Sequence, residues 1–180
     1  MTSRIKALMS VAVLCAVGTP TATRAQDGVA QDASSGWRAA QVRYVPADGA
    51  PSTFQVVYTT DESRPGAAFY CDQDRLRVRV ALEGGDLRAT LSDVFPRARQ
   101  SPVTLLIEGE EHGRDEWIYL PEHKIIVAPS RAPSAKVFNA VVKGEAVAVR
   151  HRQEIVPVAL APIDDAFRGF VDRCKAAGAI

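Results

Sequence analysis

The sequence predicts a mainly β fold: an antiparallel β-sandwich of about eight strands with a C-terminal amphipathic helix, one or two further short helices and one disulfide. Three observations predict it. Residues 76–82 (LRVRVAL) alternate without a break, with Leu76, Val78, Val80 and Leu82 on one face and Arg77, Arg79 and Ala81 on the other, the period of a strand with one buried side. Short β-branched runs follow one another with many tight Gly, Pro and Asp turns, a pattern that favours antiparallel pairing over βαβ units. Near the end of the chain, Ile163, Ala166, Phe167, Phe170, Val171 and Cys174 recur at helical spacing, so a cysteine lies on the stripe that must face the sheet.

Taken in order, residues 1–25 read as a secretory signal peptide. Arg4 and Lys6 make a basic start, residues 8–18 form an apolar core, and Thr23 and Ala25 put small side chains at the two positions a signal peptidase reads. The apolar run is about 11 residues, short of the roughly 20 that cross a bilayer, and no later run is longer. The mature chain, from about Gln26, is therefore expected in the periplasm without stable membrane insertion. Bulky Leu14 precedes Cys15 where lipoprotein processing needs a small residue, which argues against lipidation. Residues 26–36 (QDGVAQDASSG) hold almost nothing to bury and read as a disordered tether, leaving residues 37–180 as a single β-rich domain.

Within that domain, residues 41–45 are a strand candidate before a loop bounded by Pro46 and Pro51. Residues 54–60 (FQVVYTT) are a strand by composition, and residues 67–71 pair back and end at Cys71. After the 76–82 strand, residues 87–95 fit a helix or a strand until Pro96 ends the run. Residues 103–108, 116–120 and 124–128 are three more strands, the first two joined by an acidic loop over 109–115. Ser134 is placed to cap a helix in which Val137, Phe138, Val141 and Val142 share a face and Gly144 stops the run. Residues 145–150 and 154–160 form a hairpin around His151, Arg152 and Gln153. Pro162 opens the final helix, with Asp164 and Asp165 in its first turn and Arg173 and Lys175 in its last, each sign at the helix end that favours it.

Composition narrows the function classes. The full chain carries a formal charge of +1; cleavage after Ala25 removes Arg4, Lys6 and Arg24 and leaves 19 basic residues against 21 acidic, or −2. That is no footprint for nucleic acid. Two cysteines remain in the mature chain, and in an oxidising compartment Cys71 and Cys174 read as a disulfide. His112, His123, Asp115 and Glu116 are close in sequence but match no established metal-ligand spacing, so no metal and no cofactor are expected. No G-x-S-x-G elbow or glycine-rich phosphate loop is present, and no catalytic residue is assigned. His151, flanked by Arg150 and Arg152, is pushed toward its neutral form, but a turn histidine is more often simply exposed. The candidate partner-binding residues are Arg75, Arg77 and Arg79, three guanidiniums about 7 Å apart along one strand face, and Glu110 and Glu111 in the acidic loop.

Cys71, the strand at 103–109 (VTLLIEG), Trp117, the helix and strand over 137–150 and the closing 163–174 helix follow one another in an order that resembles exported accessory proteins associated with type VI secretion. Those proteins have an early strand cysteine, a V-x-x-x-I-D/E-G-like strand, a following Trp and a final helix ending in Cys. The segment before the last helix departs from that pattern, reading Ala159-Leu160-Ala161-Pro162 where a small glycine-containing turn is usual. A looser similarity is to the invasion-associated locus B family of exported β-sandwich proteins. Neither supplies a catalytic motif, and both imply an accessory role in the cell envelope. The function expected is thus a non-catalytic exported accessory or binding protein, secretion- or invasion-associated, whose partner is an envelope protein or an anionic envelope component. The alternative is a periplasmic inhibitor or small-ligand-binding protein.

Overall fold

The computed structural model describes residues 36–44, 52–72, 75–88 and 97–180. The predicted signal peptide and most of the predicted tether, with residues 89–95 of the segment left open between helix and strand, lie outside the described residues. Among the described residues, nine strands and two helices follow in the order β1 (Trp37–Tyr44), β2 (Ser52–Thr59), β3 (Ala67–Asp72), β4 (Arg75–Ala81), β5 (Arg99–Ile107), β6 (Glu110–Leu120), β7 (Ile125–Val127), α1 (Arg131–Lys143), β8 (Val147–His151), β9 (Glu154–Val158) and α2 (Asp165–Ala176). Every strand pairing is antiparallel, in one sheet ordered β1-β2-β3-β4-β7-β6-β5-β8-β9 that curls into a half-barrel. The fold is mainly β and antiparallel as expected, and its two layers are one curled sheet and the helices it embraces.

Alternation along each strand builds two faces. Cross-strand partners Val57, Phe69 and Val78 lie on the concave side with Cys71 and Leu76, and the same side continues through Trp117, Leu105, Val149 and Val156. Both helices pack into this concavity, α1 against β4 and β5, α2 against β1 and β2. A second, smaller cluster on the convex side holds Val56, Tyr58, Ala68, Tyr70, Ala81 and Ile125. Phe167 of α2 is the hub of the main core: its ring meets Trp37 at 4.9 Å, Phe138 at 5.6 Å, Phe69 at 6.0 Å and Phe170 at 6.3 Å. One side chain thereby joins β1, β3 and both helices, and its full burial is worth roughly 1.5–3 kcal/mol before the ring pairings add to it.

The terminal helix is fastened at both ends. Asp164 caps it, its carboxylate accepting from the Phe167 N–H at 2.9 Å, and the second oxygen accepts from the Trp37 N–H at 2.9 Å. The Trp37 indole N–H donates to the Ala161 carbonyl at 3.0 Å. At the other end Cys174 is bonded to Cys71, with Cα atoms 5.8 Å apart and both residues fully buried. The predicted disulfide is thus present, and it ties α2 to β3.

Several boundaries differ from the sequence reading. Ser134 is not a cap: α1 begins at Arg131 after Ser130, and Ser134 is a buried second-turn residue whose Oγ accepts from the Val78 N–H and donates to the Ser130 carbonyl. Pro133 sits in the first turn, where its missing N–H costs nothing, so the helix reaches further back than the serine suggested. Val142 is half exposed, and Ala140 takes its place on the buried face. Pro162 precedes the last helix, which Asp164 caps. The acidic loop is strand β6, because Glu108 (φ 52°) and Gly109 (φ 83°) alone turn the chain in a two-residue hairpin. A bulge then places His112 opposite no partner, between the pairs Leu105 with Gly113 and Leu106 with Glu111.

Candidate functional site

One mouth of the half-barrel opens into a cleft of about 770 Å³, lined by Leu82, Glu83 and Gly84 after β4, Tyr119 of β6, Lys124 before β7, and His151, Arg152, Gln153 and Glu154 of the β8–β9 hairpin. The alternation of β8 aims one of these groups inward. Val147, Val149 and His151 share the concave face, and a two-residue turn with Arg152 at φ 58° folds the chain back so that Glu154 pairs with His151. His151 is therefore a buried strand residue, 6 % exposed, and not the exposed turn histidine the sequence suggested.

Two groups fix its ring. Nε2 lies 2.9 Å from the Ser101 Oγ, and the ring rests against Tyr119 with centroids 5.0 Å apart. Burial, and then the positive charge of Arg152, hold its pKa below the ordinary value, against a weaker opposing pull from Glu154. At neutral pH the imidazole is thus an uncharged hydrogen-bonding group at the base of the cleft. The Arg152 guanidinium lies 5.8 Å from the Tyr119 ring centroid, at the reach of a cation–π contact. Tyr119 and His151 form an aromatic floor, with Arg152 reaching toward the Tyr119 ring.

The walls carry charge of both signs. Glu83 and Lys124 flank Gly84, Arg152 and Glu154 belong to the β8–β9 hairpin, and all four are solvent-exposed. Among the described residues none of the four is in an ion pair, whereas charged groups elsewhere on the surface, such as Arg64 with Asp61 and Arg168 with Asp165, pair within reach of one another. Lys124 (φ 49°) is held in a left-handed turn that lays its ammonium over Gly84, whose missing Cβ would stand 3.2 Å from the Nζ.

The residues singled out in the sequence lie elsewhere. Arg75, Arg77 and Arg79 project from the convex face of β4 opposite Asp72, Tyr70 and Ala68. Arg75 forms an ion pair with Asp72 at 2.7 Å, and the Arg79 guanidinium lies 3.9 Å above the Tyr70 ring while donating to its hydroxyl. Glu110 and Glu111 lie at the far end of the β5–β6 hairpin, where Glu111 pairs with Arg150. Neither group reaches the cleft. Among the described residues, no three His, Cys, Asp or Glu side chains gather where they could hold a metal ion. The chain matches no family model, no curated protein and no solved structure.

Sequence reasoning missed Glu83, Tyr119, Lys124 and Glu154 as a set, because they come from four turns and strands that only the curl of the sheet brings together. The pairing of Ser101 with His151 spans 50 residues. One signal was available: extending the alternation of Val147 and Val149 by a single step places His151 on the core face.

Proposed function

We propose that this protein is an exported, non-catalytic binding protein of the cell envelope, and that the mouth of its half-barrel is where it binds. The observation that carries the reading is the cleft: its volume is that of a small-ligand or peptide site, and it combines a rigid ring floor with four charged side chains that form no ion pair among the described residues. Export and a periplasmic location come from the signal-peptide pattern of residues 1–25. A place among secretion- or invasion-associated accessory proteins is part of the same proposal and rests on the order of the cysteine, tryptophan and helix motifs. The Arg75 to Arg79 row is less suited to the role, since Arg75 and Arg79 are engaged by the protein's own Asp72 and Tyr70.

Site-specific photocrosslinking in the native cell tests this. A photoreactive side chain at Gln153, in the mouth, is expected to form an adduct with an envelope component. The same group at Ile155, which is 56 % exposed on the opposite face of the hairpin, is expected to give none. Equal labelling from both positions, or an adduct from Ile155 alone, overturns the assignment of the mouth.

A further inference from the structure

From the distribution of charge around the mouth we infer the chemical class of its ligand: a short peptide with a free ammonium and a free carboxylate. The inference rests on the mouth being the binding site. The lining carries two acids, Glu83 and Glu154, and two bases, Lys124 and Arg152. A purely anionic ligand would meet both carboxylates, and a purely cationic one both Lys124 and Arg152. Only a ligand with both signs at its ends satisfies all four groups without leaving like charges opposed.

The floor fits the body of such a ligand. The half-buried Tyr119 offers ring surface for side chains or peptide planes, and the exposed Arg152 guanidinium near it can donate to a carboxylate. His151, buried and with its Nε2 engaged by Ser101, backs the Tyr119 ring without adding a charge to the balance. Gln153 supplies a further amide at the rim. The Lys124 ammonium lies beside Gly84, where no side chain stands between it and a ligand carboxylate. The volume of about 770 Å³ holds a peptide of a few residues.

Calorimetric titration of the purified mature protein with trialanine, N-acetyl-trialanine and trialanine amide tests the inference. Trialanine is expected to bind at one saturable site. Removing either end charge is expected to weaken binding by about tenfold or more, the effect of losing one charge-assisted hydrogen bond. Lys124→Met and Glu154→Gln are exposed substitutions whose folding is checked by thermal melting, and each is expected to reduce trialanine affinity while narrowing the difference between free and capped peptides. Equal binding of all three peptides, or no saturable binding of trialanine up to millimolar concentration, overturns the peptide class. In that case a mouth-specific adduct from Gln153 would still stand, so failure of the ligand class and failure of the binding site give different results.

Discussion

Replacing Cys71 and Cys174 together by Ala removes a cross-link between residues 103 apart in sequence. In the chain-entropy description a closed loop of that length restricts the unfolded ensemble by about 4.7 kcal/mol at 25 °C. Small single domains are stable by only about 5–15 kcal/mol in total, so the double variant should lose a third or more of its margin. For a domain of this size the same loss corresponds to a fall in Tm of roughly 10–20 °C. The assay is urea unfolding followed by tryptophan fluorescence, since Trp37 and Trp117 are both buried and report on opposite parts of the core. The oxidised parent should also show the smaller denaturant slope, because its cross-linked unfolded state exposes less surface. Both cysteines are fully buried, so dithiothreitol without denaturant should leave the bond intact, and the parent should weigh two hydrogens less than its fully reduced form. A double variant within about 1.5 kcal/mol of the parent would refute the reasoning, and would mean that the Phe167 cluster and the Asp164 cap hold α2 in place unaided.

Two further outcomes concern the other fastenings. Asp164→Ala removes the cap of α2 and the acceptor for the Trp37 N–H, and should cost about 2–3 kcal/mol in urea unfolding, while Asp164→Asn should recover only part of it, since its amide has one accepting oxygen for two N–H donors. Burial holds the His151 pKa in the folded state below the ordinary histidine value of 6.5, so the unfolded chain takes up its proton first as pH falls. The stability it contributes is present above about pH 6.5 and is lost as pH falls through the folded value. The stability of the parent relative to His151→Gln should therefore decline with pH over that interval, and parallel curves for the two proteins would remove His151 as the cause.

Much of the sheet was legible because alternation is a local signal. Leu76, Val78 and Val80 declare their face within one strand, and Cys174 declares its place on a helix stripe by its spacing from Phe167 and Phe170. Where the reading failed, a single backbone turn made the difference. Residues 109–115 looked like a loop because they are acidic and contain glycine, yet left-handed Glu108 and Gly109 complete the turn and leave the rest free to pair with β5. Ser134 looked like a cap because serine commonly is one, and its burial beside the Val78 N–H depends on a strand 56 residues away. The cleft was the least legible feature. Its charges are ordinary surface residues in separate segments, and only the curvature of the sheet gathers them around one mouth.

The bond between Cys71 and Cys174 also decides how the domain would carry tension. A pull applied between Gly36 and Ile180 travels along β1, β2 and β3 to Cys71, crosses to Cys174 and leaves through the last few residues, without entering the chain in between. Leu82, Tyr119, Lys124 and the β8–β9 hairpin all belong to that bypassed length. A load on the two ends would strain the Trp37 contacts to Asp164 and Ala161 first, while the segments that frame the mouth stayed slack.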